Sequence, residues 1–215
     1  MKASVCSALL LSASILPALF PAHSQAGEDS GVYFNADLGG TVAESTRLKE
    51  FPDAPPGGKV EFHPGVRLGM GAGYRFNDWL SAGGETGFLI NGVKGADISL
   101  TQVPLLANVE FRMPNKSPLV PFIGGGPGVS VSVLSLDNDR LNNGSRVDGS
   151  TSDTVFAWQA YGGVRYKIND NMSVGVAYKY FGADAPTWDV RNTPQDIRFG
   201  KARVHSITAS FSMGF

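Results

Sequence analysis

The last nine residues, Ile207-Thr208-Ala209-Ser210-Phe211-Ser212-Met213-Gly214-Phe215, alternate apolar with small or polar side chains without a break. Successive side chains of a strand point to opposite faces, so this segment is apolar on one face only. Such a face is buried against a protein core or against lipid, and in lipid the strand must belong to a closed barrel so that its backbone groups are paired. The other end of the chain decides between the two. Lys2 precedes an apolar body from Val5 to Phe20, and Ser24-Gln25-Ala26 forms a small-x-small cleavage signal, the pattern of a secretory leader. A retained transmembrane helix fits less well, because Pro17 and Pro21 interrupt the segment and its apolar stretch falls short of the ~20 residues a span requires. The expected organisation is a leader over residues 1–26 and one outer-membrane barrel domain over residues 27–215. Cys6 is the only cysteine and leaves with the leader, so no disulfide or thiol chemistry is expected in the mature chain.

Seven more segments alternate in the same way, which predicts an all-β, eight-stranded antiparallel up-and-down transmembrane barrel. They run from Val32 to Gly39, Gly65 to Phe76, Trp79 to Ile90, Val103 to Phe111, Leu119 to Leu134, Phe156 to Ile168 and Met172 to Tyr180. Pro127 interrupts the fifth, where its missing N–H suggests a bulge. The connections alternate short and long, as an up-and-down barrel with periplasmic termini requires. Asn77-Asp78, Pro114 to Pro118 and Asn169 to Asn171 are short turns; residues 41–63, 91–98, 135–154 and 182–201 are long and are expected to be exposed outside. Tyr74, Phe76, Trp79, Phe111, Tyr166 and Phe215 fall at the periplasmic rim of this topology, and Phe88, Phe156, Trp158 and Tyr180 near the other, giving the two aromatic belts that a bilayer favours. A soluble sandwich or lipocalin-like barrel would put its apolar face inside and would not require belts.

Composition narrows the function classes. The 18 basic and 19 acidic residues become 17 and 19 without Lys2, and no basic stripe is present, so nucleic acid is not an expected partner. No cofactor or metal site is expected. Gly69-Met70-Gly71-Ala72-Gly73 lies within a strand and opens no helix, so it is no nucleotide loop. The loop from Asp137 to Gly144 is rich in oxygen ligands, but Leu141 and the lack of a closing Glu break the calcium-loop pattern.

Pro121-Phe122-Ile123-Gly124-Gly125-Gly126, the stretch from Tyr161 to Val174, Tyr178-Lys179-Tyr180 and the ending from His205 to Phe215 together resemble the small outer-membrane β-barrel family of opacity-type surface antigens and OmpA-like transmembrane domains, often described as porins. The resemblance covers essentially the whole mature chain. It implies an eight-stranded barrel serving as a surface antigen, adhesin or envelope-stabilising protein, with no catalytic residues. It also implies that Phe211, Met213 and Phe215 form the signal read by the outer-membrane assembly machinery. No periplasmic peptidoglycan-binding domain is expected.

Alternation turns Asp37, Glu85 and Glu110 into the lumen with Arg67, Arg75, Arg112, Arg165 and Lys167. Eight strands enclose just enough room for side chains, so these charges either pair as a plug or line a narrow path biased towards anions. Inward glycines leave space, whether for solute or for Tyr161, Arg75 or Arg165. Catalysis on lipid would call for a nucleophile sharing a face with His63 or His205, yet adjacent His205 and Ser206 point to opposite faces. The first expectation is therefore a surface or envelope protein of the outer membrane, contacting outer-membrane lipid and lipopolysaccharide and meeting an external ligand or host surface through its loops. A small low-conductance porin-like channel comes second and a barrel enzyme acting on outer-membrane lipid third. Trp188 with Arg191 and Arg198 in the last long loop is the candidate binding patch, the alternative being a tryptophan packed against its own loop.

Overall fold

The computed structural model describes residues 30–50, 57–95, 98–140, 146–188 and 197–215. The expected leader, its cleavage site and Cys6 lie outside the described residues. The strands are β1 (Gly31–Ala43), β2 (Thr46–Glu50), β3 (Lys59–Val60), β4 (Gly65–Arg75), β5 (Leu80–Gly92), β6 (Ile98–Arg112), β7 (Leu119–Arg140), β8 (Arg146–Lys167), β9 (Met172–Ala183), β10 (Thr187–Trp188), β11 (Ile197–Phe199) and β12 (Ala202–Gly214). Eight of them close an antiparallel barrel in the order β1-β12-β9-β8-β7-β6-β5-β4, and the four short ones form a separate sheet in the order β10-β11-β2-β3.

The polarity is inside-out relative to a water-soluble domain. Leu38, Leu105 and Ile207 are 62%, 61% and 67% exposed on the outer surface, whereas Asp37, Arg67 and Lys179 are buried within. Only lipid accepts an apolar belt of this extent, and the strand period of two assigns every other residue to it. Aromatic pairs mark both rims. Trp79 stacks on Phe111 with centroids 6.2 Å apart, and Phe34 meets Phe215 edge-on at 5.9 Å at the end of the short turns, the end expected to be periplasmic. Trp158 meets Tyr180 at 5.5 Å towards the outside.

Two expectations about the strands are corrected. Register is unbroken through Pro127, which faces Trp158 on β8, and the irregularity of that hairpin falls between Leu136 and Asp139. On the β6 side the pairs Leu106–Gly128 and Val109–Gly125 keep the same register, so the proline omits a ladder bond without inserting a residue. Residues 135–154 are also not one long loop. β7 and β8 continue outward as a paired hairpin to Arg140 and Arg146, which the sequence does not announce because polar residues there occupy both strand faces.

Candidate functional site: the lumen and its lid

Four buried charges meet at mid-barrel. Each comes from a different strand, placed there by inward parity: Asp37 on β1, Arg67 on β4, Glu85 on β5 and Lys179 on β9. Lys179 Nζ donates to Asp37 Oδ1 at 2.6 Å and to Glu85 Oε1 at 2.8 Å. Arg67 Nη2 donates to Glu85 Oε1 at 2.5 Å, and its Nε lies 3.5 Å from Asp37 Oδ2. The two cations and two anions thus alternate in a closed ring of no net charge. Gln159 and Asn108 donate to Glu85 Oε2 at 2.8 and 3.1 Å, and Gln159 accepts from Arg67 at 3.0 Å. Charges withdrawn from water need this density of partners, and each member removed would strand the others. Lys179 is the member missing from the sequence expectation, although it follows Tyr178 on a strand whose outward residues were already assigned.

Inward glycines make room for this filling. A Cβ at Gly69 would stand 2.6 Å from Asp37 Oδ1, and one at Gly73 or Gly83 would meet the Tyr33 hydroxyl. Gly124 lies under the Tyr161 ring in the same sense. The space left by glycine is therefore taken by Asp37, Tyr33 and Tyr161 and is not open to solute at these positions.

Below the ring, towards the periplasm, Arg165 holds Glu110 bidentately at 2.8 and 3.2 Å and stacks its guanidinium 4.4 Å from the Phe122 centroid. Arg112 Nη2 donates to the Asn77 carbonyl at 2.7 Å, and Arg75 lies 5.7 Å from the Tyr33 centroid. Lys167 is exposed at the strand end. Of the eight expected lumen charges, Asp37, Arg67 and Glu85 enter the central ring, Glu110 and Arg165 pair below it, and Arg75, Arg112 and Lys167 line the inner mouth with Arg165.

Above the ring the formal charges give way to apolar side chains and a few neutral polar ones, among them Gln102, whose Oε1 accepts from Ser130 and Ser132 at 2.8 and 2.7 Å. Leu89, Leu106, Ala157, Phe181, Ala183 and Val204 form one buried cluster. A second, of Val93, Ile98, Leu100, Leu134, Trp188 and Phe199, lies beneath the small sheet, with Leu48, Val60 and Phe62 packed against it. The described parts of loops one and four are thus folded over the mouth as a lid. Trp188 fixes it: the indole is fully buried, meets Phe199 edge-on at 5.2 Å and donates from Nε1 to the Ser132 carbonyl at 2.9 Å. The expected patch of Trp188, Arg191 and Arg198 is corrected at Trp188, whose ring faces the core, while Arg198, bonded to Thr187 Oγ1 at 3.1 Å, is exposed. Arg191 and residues 141–144 lie outside the described residues. On the lid's solvent face Arg47 stands directly opposite Lys59, with Lys49 exposed on the same side of β2. Like charges facing across strands are unfavourable, and here Glu61, 2.7 Å from Lys59, relieves only one of them.

His205 faces outward at the external rim, between Tyr178 Oη at 2.6 Å and Glu44 Oε1 at 3.0 Å. Ser206 turns inward and is buried, so the two do not share a face. Phe211, Met213 and Phe215 are all exposed on the lipid side, and the Phe215 amide donates to the Val32 carbonyl at 2.8 Å.

Neisserial surface protein A is similar in fold, at 22% identity and a TM-score of 0.57, over 87% of this chain and all of that one. OprG of Pseudomonas aeruginosa is similar at 18% identity and a TM-score of 0.56, over 88% of this chain and 98% of that one. In sequence, residues of this chain are 30% identical to the outer membrane protein PagN of Salmonella typhimurium across 78 positions, 36% of this chain and about a third of that protein's length. The family model described as "Outer membrane protein beta-barrel domain" matches residues 8–215, and with a closed eight-stranded barrel wrapped in an apolar belt, the chain belongs to that family of outer-membrane proteins.

Proposed function

We propose that this chain is a closed surface protein of the outer membrane that works from its extracellular lid and not through its lumen. The observation that carries this reading is the filling of the barrel: a neutral ring of paired charges at mid-height, an apolar cluster above it and a lid anchored by Trp188. What such a molecule offers the exterior is the lid's outer face, where Arg47, Lys49, Lys59 and Arg198 are exposed. Lys59 is offset by Glu61, and it is Arg47 with Lys49 that suits an anionic polymer on the outside of a cell, bound by salt-sensitive attraction. Arg203, outward at the external rim and 3.7 Å from Glu44, suits lipopolysaccharide phosphates in the same way. His205 is in this reading a rim contact and the protein no enzyme. The leader is cleaved after Ala26, and Phe211, Met213 and Phe215 serve the barrel assembly machinery.

The test is retention of the refolded chain, Gly27 to Phe215, on sulfated dextran compared with neutral dextran. Retention that is lost in high salt and weakened by the double change Arg47→Glu, Lys49→Glu is expected. Passage of the wild type without delay in low salt, or identical elution of the variant, would overturn the assignment of the lid as the binding face.

A further inference from the structure

The inner mouth of the barrel is a blind basic cup. A cavity of about 190 Å³ opens at the periplasmic end, lined by Arg75, Arg112, Arg165 and Lys167, with Asp78 and Asp170 from the short turns. Behind its arginines stand Tyr33, Phe122 and Tyr161, the first and last seated over inward glycines, and the ring of paired charges lies beyond them. Rings and guanidinium groups brace one another, since Arg165 lies over Phe122 and Arg75 beside Tyr33, which holds the cations in place without a ligand.

Arg112 and Arg165 are only partly matched by what surrounds them. Glu110 occupies two nitrogens of Arg165, and the Asn77 carbonyl takes one of Arg112. Nε of Arg112 and Nε of Arg165 are buried and have no hydrogen-bond partner among the described residues. Both of these N–H groups are closed off from the cavity, so a solute there is met by the terminal nitrogens of the same cations and by Lys167. Water alone would fill the space, which equals about six waters at ~30 Å³ each. An oxyanion would do more, because a guanidinium offers planar paired donors to phosphate or carboxylate oxygens.

We propose that this cup is a binding site for a small phosphoryl oxyanion entering from the periplasmic side, held by Arg75, Arg112 and Arg165 with Lys167 at the entrance. The volume admits a single phosphoryl group and excludes a polymer chain. The site is independent of the lid, and the closed lumen above makes it a terminus and not a stage of transport. The phosphoryl group arrives either as free phosphate or as the ester of a lipid headgroup, and the two are separable by probe.

The experiment is calorimetric titration of the refolded full mature chain in a maltoside micelle at low ionic strength, with inorganic phosphate in one arm and glycerol 1-phosphate in the other. Saturable phosphate binding, about tenfold weaker in Arg112→Gln and also weakened in the milder surface change Lys167→Gln, is expected, with each variant's folding checked by its heat-dependent gel shift. Binding of phosphate alone assigns the free anion, and binding of both assigns a headgroup ester as a ligand. Absence of saturable heat with phosphate, affinity unchanged in Lys167→Gln and in folded Arg112→Gln, or equal competition by chloride, would overturn the proposal.

Discussion

The two halves of the barrel interior are built on opposite principles. The periplasmic half carries charge: Arg67 and Lys179 are matched with Asp37 and Glu85, and Arg165 with Glu110, above a mouth lined by Arg75, Arg112 and Lys167. The extracellular half is packed with Leu89, Leu106, Phe181 and Leu134 up to Trp188, with neutral polar groups such as Gln102, Ser130 and Ser132 bonded to one another, in the manner of the core of a water-soluble domain. The difference lies in what each half can exclude. An apolar core beneath a lid keeps water out by burial and tolerates modest change, whereas paired charges keep each other out of water only while every partner remains. The lower half is therefore the more brittle, and the upper half fails locally.

Removing a cation tests the brittle half most severely. Lys179→Met leaves Asp37 and Glu85 sharing Arg67 alone, and a loss of about 3–5 kcal/mol is expected in urea unfolding of the refolded protein, with the whole barrel unfolding earlier. A loss below about 1 kcal/mol would show that the ring is wet and its charges screened. Trp188→Ala acts on the other half. It removes the indole from the upper cluster and leaves the Ser132 carbonyl without its donor, at a cost of about 3 kcal/mol. That cost is expected in the lid, as faster proteolysis of residues 44–64 and 184–201, while the midpoint for barrel unfolding stays near wild type. A coincident shift of both transitions would mean that lid and barrel form one cooperative unit.

The smallest effect is expected at the lid's outer surface. The hydrogen bond from Lys59, and then its charge, hold the Glu61 carboxyl below its ordinary range. A depressed carboxylate contributes stability that is present above its unfolded value and lost as pH falls through the folded one. Glu61 is exposed, so this contribution is screened, and Glu61→Gln is expected to leave the unfolding midpoint unchanged in high salt at any pH between 4 and about 8.

Much of this contrast was legible in the residues and some was not. Strict alternation placed Arg67, Glu85, Glu110 and Arg165 in the lumen, because a period of two is a local property and one face is always lipid. Lys179 was reachable by the same rule, from Val174, Val176 and Tyr178 on the opposite face. The lid was not reachable. Its strands are two to five residues long, and Arg198 pairs with Glu50 across 148 positions, so no local pattern announces the sheet. For the same reason Trp188 reads as a loop residue in sequence and as a core residue in the fold. Pro127 misled in the other direction, since the strand simply skips a bond there.

The closed lumen is tested most directly by electrical recording. The mature chain, inserted into a planar bilayer with insertion verified by its heat-dependent gel shift, is expected to pass no unitary current. Stable single-channel steps from the wild type, changing size in Arg165→Ala, would contradict a filled barrel and make the inward charges the lining of a pore.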